Sequence, residues 1–295
     1  MRRLARLGLG GTVLVLLVAH VGPGPFVAGV GSLDARSLVA VILVTALTTI
    51  CGAWRWRLVA ESLGLRLPLR TAVAASYRAQ LLNSTFPGGV VGDVHRGVRH
   101  GHDVQQTGRA LRAVVWERLW GQAVQVAAVV VALLALPSPW RSAAPRVLVV
   151  AAMAVTIACL VVPRALPVVR SDLRAQAGRL SGVVGLSSVV VLGHVAVFLV
   201  AARTAGLDVP AARLLPLALL VLVAMAVPAN VAGWGPREGV AAWTFGAAGL
   251  GASAGVETAV VYGLLVLVAS LPGAAVLVVE ALARRSVREP EVARA

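Results

Sequence analysis

Long apolar runs alternate with short, arginine-bearing segments along the whole chain. The apolar runs occupy residues 7–29, 38–54, 72–87, 113–136, 146–163, 182–202, 214–229, 238–252 and 257–282. A run of ~20 apolar residues matches a bilayer core of ~30 Å. The pattern therefore predicts an all-α, polytopic membrane helix bundle. Runs 72–87 and 214–229 end in Gly/Pro-rich sequence and read as the first limbs of re-entrant hairpins or broken helices. Run 238–252 is short and Gly-rich and reads as the second limb of the later break. The remaining six runs read as full spans.

The two breaks share a signature. FPGGVVGDVHR runs from Phe86 to Arg96, and VPANVAGWGPR from Val227 to Arg237. Both read Pro, four residues, Gly, three residues, Arg: Pro87, Gly92, Arg96 and Pro228, Gly233, Arg237. Gly88, Gly89, Gly235 and Pro236 add further helix-breaking residues. Such segments at matching places in two halves of a membrane protein point to a transport site, because free backbone at membrane depth must be buried or line a wet cavity. Around them, GLRLP at Gly64–Pro68 matches GLDVP at Gly206–Pro210, and AVVW at Ala113–Trp116 matches AVVY at Ala259–Tyr262. Order and near-constant offset predict a duplication within a single membrane domain. Its halves are approximately 1–140 and 141–288, with a short cytoplasmic tail at 289–295. Three full spans and one hairpin per half would make this an inverted repeat.

Composition agrees with membrane residence: 59% of residues are hydrophobic, 13% are charged, and mean hydropathy is +0.87. The net charge of +15 does not imply nucleic acid, since the arginines lie beside apolar spans and not along a soluble basic stripe. All 27 basic residues are arginine, the bias of a GC-rich genome. Arg2, Arg3 and Arg6, the loop holding Arg55, Arg57, Arg66 and Arg70, the segment from Arg99 to Arg112, the loop from Arg164 to Arg179, and the tail fall on one side. The opposite loops hold few. The positive-inside rule then places both termini in the cytoplasm. Cys51 and Cys159 are isolated and read as small buried hydrophobes.

Six ionisable residues flank the breaks: Asp93 and Arg96, Glu117 and Arg118 at the start of the next span, and Arg237 and Glu238. Ionisable groups at membrane depth are costly and usually pair inside the bundle. One reading is a polar cavity in which Arg96 and Arg237 hold a lipid phosphate, the planar guanidinium fork suiting that job. Asp93, Glu117 and Glu238 would then hold the arginines when the site is empty. The other reading is structural: ion pairs that pin the hairpins, or interface anchors. His95, His100 and His102 have no standard metal spacing and read as a polar interfacial loop. Trp54, Trp56, Trp116, Trp120 and Trp140 read as an aromatic belt, and Trp234 sits inside the second break. No motif assembles a nucleophile with a base, so no catalytic residue, metal or cofactor is expected.

At RWR (Arg55–Arg57), NSTFPGGVVGDVHR, ERL (Glu117–Leu119) and PANVAGWGPREG, the chain resembles the lysylphosphatidylglycerol synthase transmembrane-region family, also called flippase-like or UPF0104 membrane proteins. The resemblance implies movement of a lipid between leaflets, with synthase activity residing in a separate soluble domain that does not follow here. It implies a bacterial cell membrane and, as partner, a phospholipid or polyprenyl-linked lipid. The expected function is therefore a flippase or scramblase for an anionic or headgroup-modified lipid. The alternative is a non-transporting membrane partner of a lipid- or glycan-modifying enzyme. Ala232-Gly233-Trp234-Gly235 departs from the family's usual Gly-Gly-Ile-Gly flavour by placing a bulky ring in the second break.

Overall fold

The computed structural model describes residues 24–32, 34–86, 88–136, 167–225, 234–280 and 282. Run 146–163, most of run 7–29, Pro87, Pro228 and Gly233 lie outside these residues, as do Cys159 and Trp140. The described elements are helical: α1 Gly24–Gly31, α2 Ala35–Ser62, α3 Leu69–Thr85, α4 Val91–Asp103, α5 Thr107–Ala135, α6 Pro167–Gln176, α7 Leu180–Thr204, α8 Ala211–Ala224, α9 Pro236–Ala247 and α10 Ala252–Ala269. Four helical stretches are long and apolar enough to cross a membrane: Ala35–Ser62, Thr107–Ala135, Pro167–Thr204 and Ala252–Glu280.

Local chemistry explains the boundaries. Asp34 caps α2, its carboxylate accepting the backbone N–H groups of Arg36 and Ser37 at 2.9 Å. At the other end Gly64 takes φ +77°, and the Leu65 N–H reaches the Ala60 carbonyl at 3.0 Å. α7 ends identically, with Gly206 at φ +80° and Leu207 N–H on Ala202 O at 3.0 Å. This is a left-handed glycine stop, followed by a proline that caps the next helix. GLRLP and GLDVP are therefore the same device, a helix stop and a helix start in five residues.

α2 and α7 lie side by side and run antiparallel. Ser37 at the start of α2 meets Thr204 at the end of α7 (Oγ to Oγ1, 2.7 Å). Arg179, just before α7, reaches Glu61 at the end of α2 at 2.6 Å. Between them Gly193 sits against Thr48, where a Cβ would collide with the threonine side chain; small residues permit such close approach in membranes. The Gly64–Pro68 and Gly206–Pro210 corners consequently lie at opposite ends of the pair.

After each corner comes a helical hairpin and then a long helix. α4 folds back on α3, with Gly92 pressed on the Ala79 backbone and Arg78 and Arg99 both gripping Glu280. α9 folds back on α8, with Arg213 near the Ala248 carbonyl at 3.5 Å. α5 and α10 then pack along α4 and α9 respectively, and each also packs on both α2 and α7. The apolar core is built around Phe198, Phe245, Leu214 and Tyr262, with a second cluster around Trp56, Leu65 and Leu67.

Several sequence expectations change. Arg55 and Arg57 are not in a loop: α2 runs on to Ser62, and Arg55 is buried. The three histidines are helical, within α4, and His100 is buried against Trp56. Trp56 is core, only 1% exposed, and no belt residue. An apolar run marks where a helix meets lipid, but the helix extends through polar residues wherever packing covers them.

Cysteines placed at the exposed positions Arg66 and Asp208, in a background lacking the native cysteines, should be labelled by a membrane-impermeant reagent from opposite sides. Labelling of both from one side would contradict placement of the two corners across the bilayer.

Candidate functional site

The first break closes over a network of charged side chains. Glu117 lies on α5, the eleventh residue of that helix, ~15 Å along its axis at ~1.5 Å per residue. α5 itself begins six residues before the apolar run, and Glu117 lies at the start of that helix's most apolar stretch. Its carboxylate is 3% exposed and serves two arginines. Arg55 on α2 donates Nε–H to Oε1 at 2.9 Å and a second hydrogen bond from Nη2 to the same oxygen. Arg96 on α4 donates from Nη2 to Oε2 at 2.6 Å. Arg55 also donates to the Ser187 hydroxyl on α7 at 3.1 Å, and that hydroxyl in turn donates a hydrogen bond to the Val183 carbonyl at 2.7 Å. One carboxylate thus ties α2, α4 and α5 together, and Arg55 extends the tie to α7.

Asp93 completes the network. It accepts Arg96 Nε–H at 3.0 Å and the Asn83 amide at 3.0 Å, and it pairs with Arg118. Asn83 accepts the Gly92 N–H at 2.7 Å, satisfying a free amide at the start of α4. Arg96 further lies over the Trp56 ring, 4.6 Å from its centroid. Three guanidinium groups against two carboxylates leave the network one positive charge in excess.

The second break builds a smaller version. Gly235 turns with φ +116°, a conformation that favours glycine. Its N–H donates to Glu238 Oε2 at 2.7 Å. Arg237 donates to Glu238 Oε1 from Nε at 2.8 Å and Nη2 at 2.5 Å. Its guanidinium packs between the Trp234 and Tyr262 rings, 5.0 and 5.6 Å from their centroids, and against Gly263, where a Cβ would overlap it. Tyr262 in turn bonds His194 Nδ1 on α7 at 3.1 Å.

Aligning AVVW with AVVY puts Glu117 opposite Gly263. The arginine after each break therefore meets the same place on the following helix. In one half that place supplies a carboxylate; in the other it supplies a gap, and the neighbouring Glu238 supplies the charge. Carboxylates accept from the guanidinium groups of both Arg96 and Arg237, as Asp93, Glu117 and Glu238 would when they hold the arginines. The networks touch the same helix two turns apart, at Ser187 and His194, a rise of ~10 Å along α7. Arg55 and Arg118 lie within electrostatic reach of His194.

All six sequence candidates fall in these networks. The sequence reading missed Arg55, Asn83, Ser187, His194 and Tyr262. The helical continuation of RWR could have exposed Arg55, since it lies one turn before Val59, which is buried. Elsewhere, Trp116 and Trp120 hold α6 on α5 through Asp172 and Gln176, at 3.1 and 2.8 Å. Among the described residues no group of acidic, histidine or cysteine side chains has metal-ligand geometry.

The family profile described as lysylphosphatidylglycerol synthase TM region matches residues 3–273. The chain belongs to that family. The match spans both breaks and both charged networks, so the family's transmembrane region includes the whole bundle described above. No curated protein and no solved structure matches the chain.

Glu117→Ala strands two buried guanidinium groups and should cost ~3–5 kcal/mol, the cost of breaking a buried pair, read as a lowered melting temperature in detergent. Gly263→Ala should lower it too by displacing Arg237, whereas Gly185→Ala, with nothing near its Cβ position, should be neutral. Equal effects of the two alanines would contradict a tight seat at Gly263.

Proposed function

We propose that the protein moves an anionic or headgroup-modified lipid between membrane leaflets, as a flippase or scramblase without a nucleotide-hydrolysing site of its own. Membership of the family is consistent with a lipid-related role in the membrane. The observation that carries the finer reading is the charged network with one positive charge in excess. Purely structural ion pairs would be expected to balance, since an unpaired charge at membrane depth is costly. An anionic headgroup crossing the bilayer would supply the missing charge.

The architecture offers a route to movement. Antiparallel α2 and α7, each followed by the same corner, hairpin and long helix, support an inverted repeat, which permits alternating access by rocking one half on the other. The rocking surface would be the α2–α7 contact at Gly193 and Thr48. Both charged networks attach to α7, so a shift of that helix would be felt at each. No catalytic role is assigned to the carboxylates, because each is already occupied by arginine.

In liposomes containing the purified protein alone, fluorescent phosphatidylglycerol should become accessible to an external quencher faster than in protein-free liposomes. Arg237→Ala should abolish this acceleration, Arg237→Lys should restore part of it, because an ammonium keeps charge but loses the fork, and Glu238→Gln should be milder. Unchanged lipid movement in Arg237→Ala at equal protein content, or no acceleration by the wild type, would favour the reading as a non-transporting partner of a lipid-modifying enzyme.

A further inference from the structure

Arg118 differs from every other member of the two networks. Arg55, Arg96 and Arg237 are at most 7% exposed, and each guanidinium is held by more than one side chain, by carboxylates, a hydroxyl or aromatic rings. The Arg118 side chain is 50% exposed and has a single ion-pair partner, Asp93. It is the twelfth residue of α5 and the first of that helix's most apolar stretch. Counting around the helix at ~100° per residue, it lies between the buried face carrying Glu117 and an exposed apolar stripe of Val115, Leu119 and Val126, which are 56%, 52% and 41% exposed. Val94, beside Asp93 on the opposing hairpin helix, is 53% exposed. The excess positive charge of the network therefore emerges sideways beside an apolar stripe, at the end of the most apolar stretch of α5.

We propose that Arg118 is the lateral docking point for the phosphate of a glycerophospholipid, whose acyl chains lie along the Val115–Leu119 stripe. The proposal rests on the lipid reading above and names the contact and the ligand class. Three features select this occupant. The guanidinium retains donors not used by Asp93, and arginine meets phosphate through paired N–H groups. The network lacks one negative charge, which a phosphodiester supplies. One flank, the Val115–Leu119–Val126 stripe, is apolar, as chains require and as free phosphate does not. Asp93 then acts as the holder: it keeps Arg118 in place when the groove is empty and shares the guanidinium with phosphate when it is filled.

Native mass spectrometry of the detergent-purified full chain, titrated with dioleoylphosphatidylglycerol, tests this. One phosphatidylglycerol should bind in a manner that Arg118→Gln weakens by about tenfold or more, the loss of a charge-assisted hydrogen bond. Arg118→Lys should fall between, and Arg109→Gln, at an exposed position near the start of α5, should stay within about twofold of wild type. Val115→Asp, an exposed position that puts a repelling charge beside the site, serves if Arg118→Gln does not fold, and should weaken binding similarly. Millimolar inorganic phosphate and dioleoylglycerol should each fail to displace the lipid. Undiminished binding in Arg118→Gln, or in Val115→Asp where the former is unfolded, overturns the proposal. So does displacement by inorganic phosphate, which makes the ligand a free anion, or by dioleoylglycerol, which makes the groove merely apolar. Arg118-dependent binding in a protein that moves no lipid would sink translocation and leave the docking point standing; lipid movement with Arg118-independent binding would do the reverse.

Discussion

A single carboxylate, Glu117, imposes most of the constraints on the first half of the bundle. An ion buried within a membrane span needs a partner, and Glu117 has two, from helices distant in sequence. Arg55 must come from α2 and Arg96 from the hairpin helix α4. Neither arginine is placed by its own helix's preferences alone; each is buried where it meets a carboxylate. The hairpin break follows from the same demand. α4 has to turn back at Phe86–Val90 for Arg96 to meet α5, and the two glycines there, at φ +92° and +61°, make the turn possible.

The second half meets the same demand differently. Glu238 sits beside Arg237, so the pair is local, and Glu238 also satisfies the Gly235 amide at the start of α9. The facing helix then has to provide only room, which Gly263 does, and aromatic faces, which Trp234 and Tyr262 do. A neutral, self-contained site opposite a larger one with surplus positive charge makes the halves alike in backbone and unlike in chemistry. The bulky ring in the second break has a physical role here: it covers a guanidinium that has only one carboxylate. The corner, hairpin and helix order that follow α2 recur after α7, because they come from glycine and proline geometry. Side-chain charge does not recur in the same way.

The helical class, the helix–corner–helix devices and the pairing of the two breaks were all legible in the chain, since each depends on local signals: apolar length, glycine stops and proline starts. The six charged candidates were legible for a related reason, because ionisable residues in apolar sequence are few. What could not be read locally was partnership. Arg55 looked like a loop residue because the apolar run stops at 54, but helix continuation and burial by α5 and α7 turn it inward. Trp56 looked like an interface residue until Arg96 and His100 were seen packed on it. Sequence by itself determined which segments are helical and where glycine and proline break them, because those choices cost free energy within a few residues. Tertiary structure alone decided which arginine meets which carboxylate, that Arg96 and Arg237 are buried, and that Arg118 is left facing outward. Those outcomes depend on distances between segments 20 to more than 200 residues apart, as in the Arg78–Glu280 pair, and no local pattern encodes them.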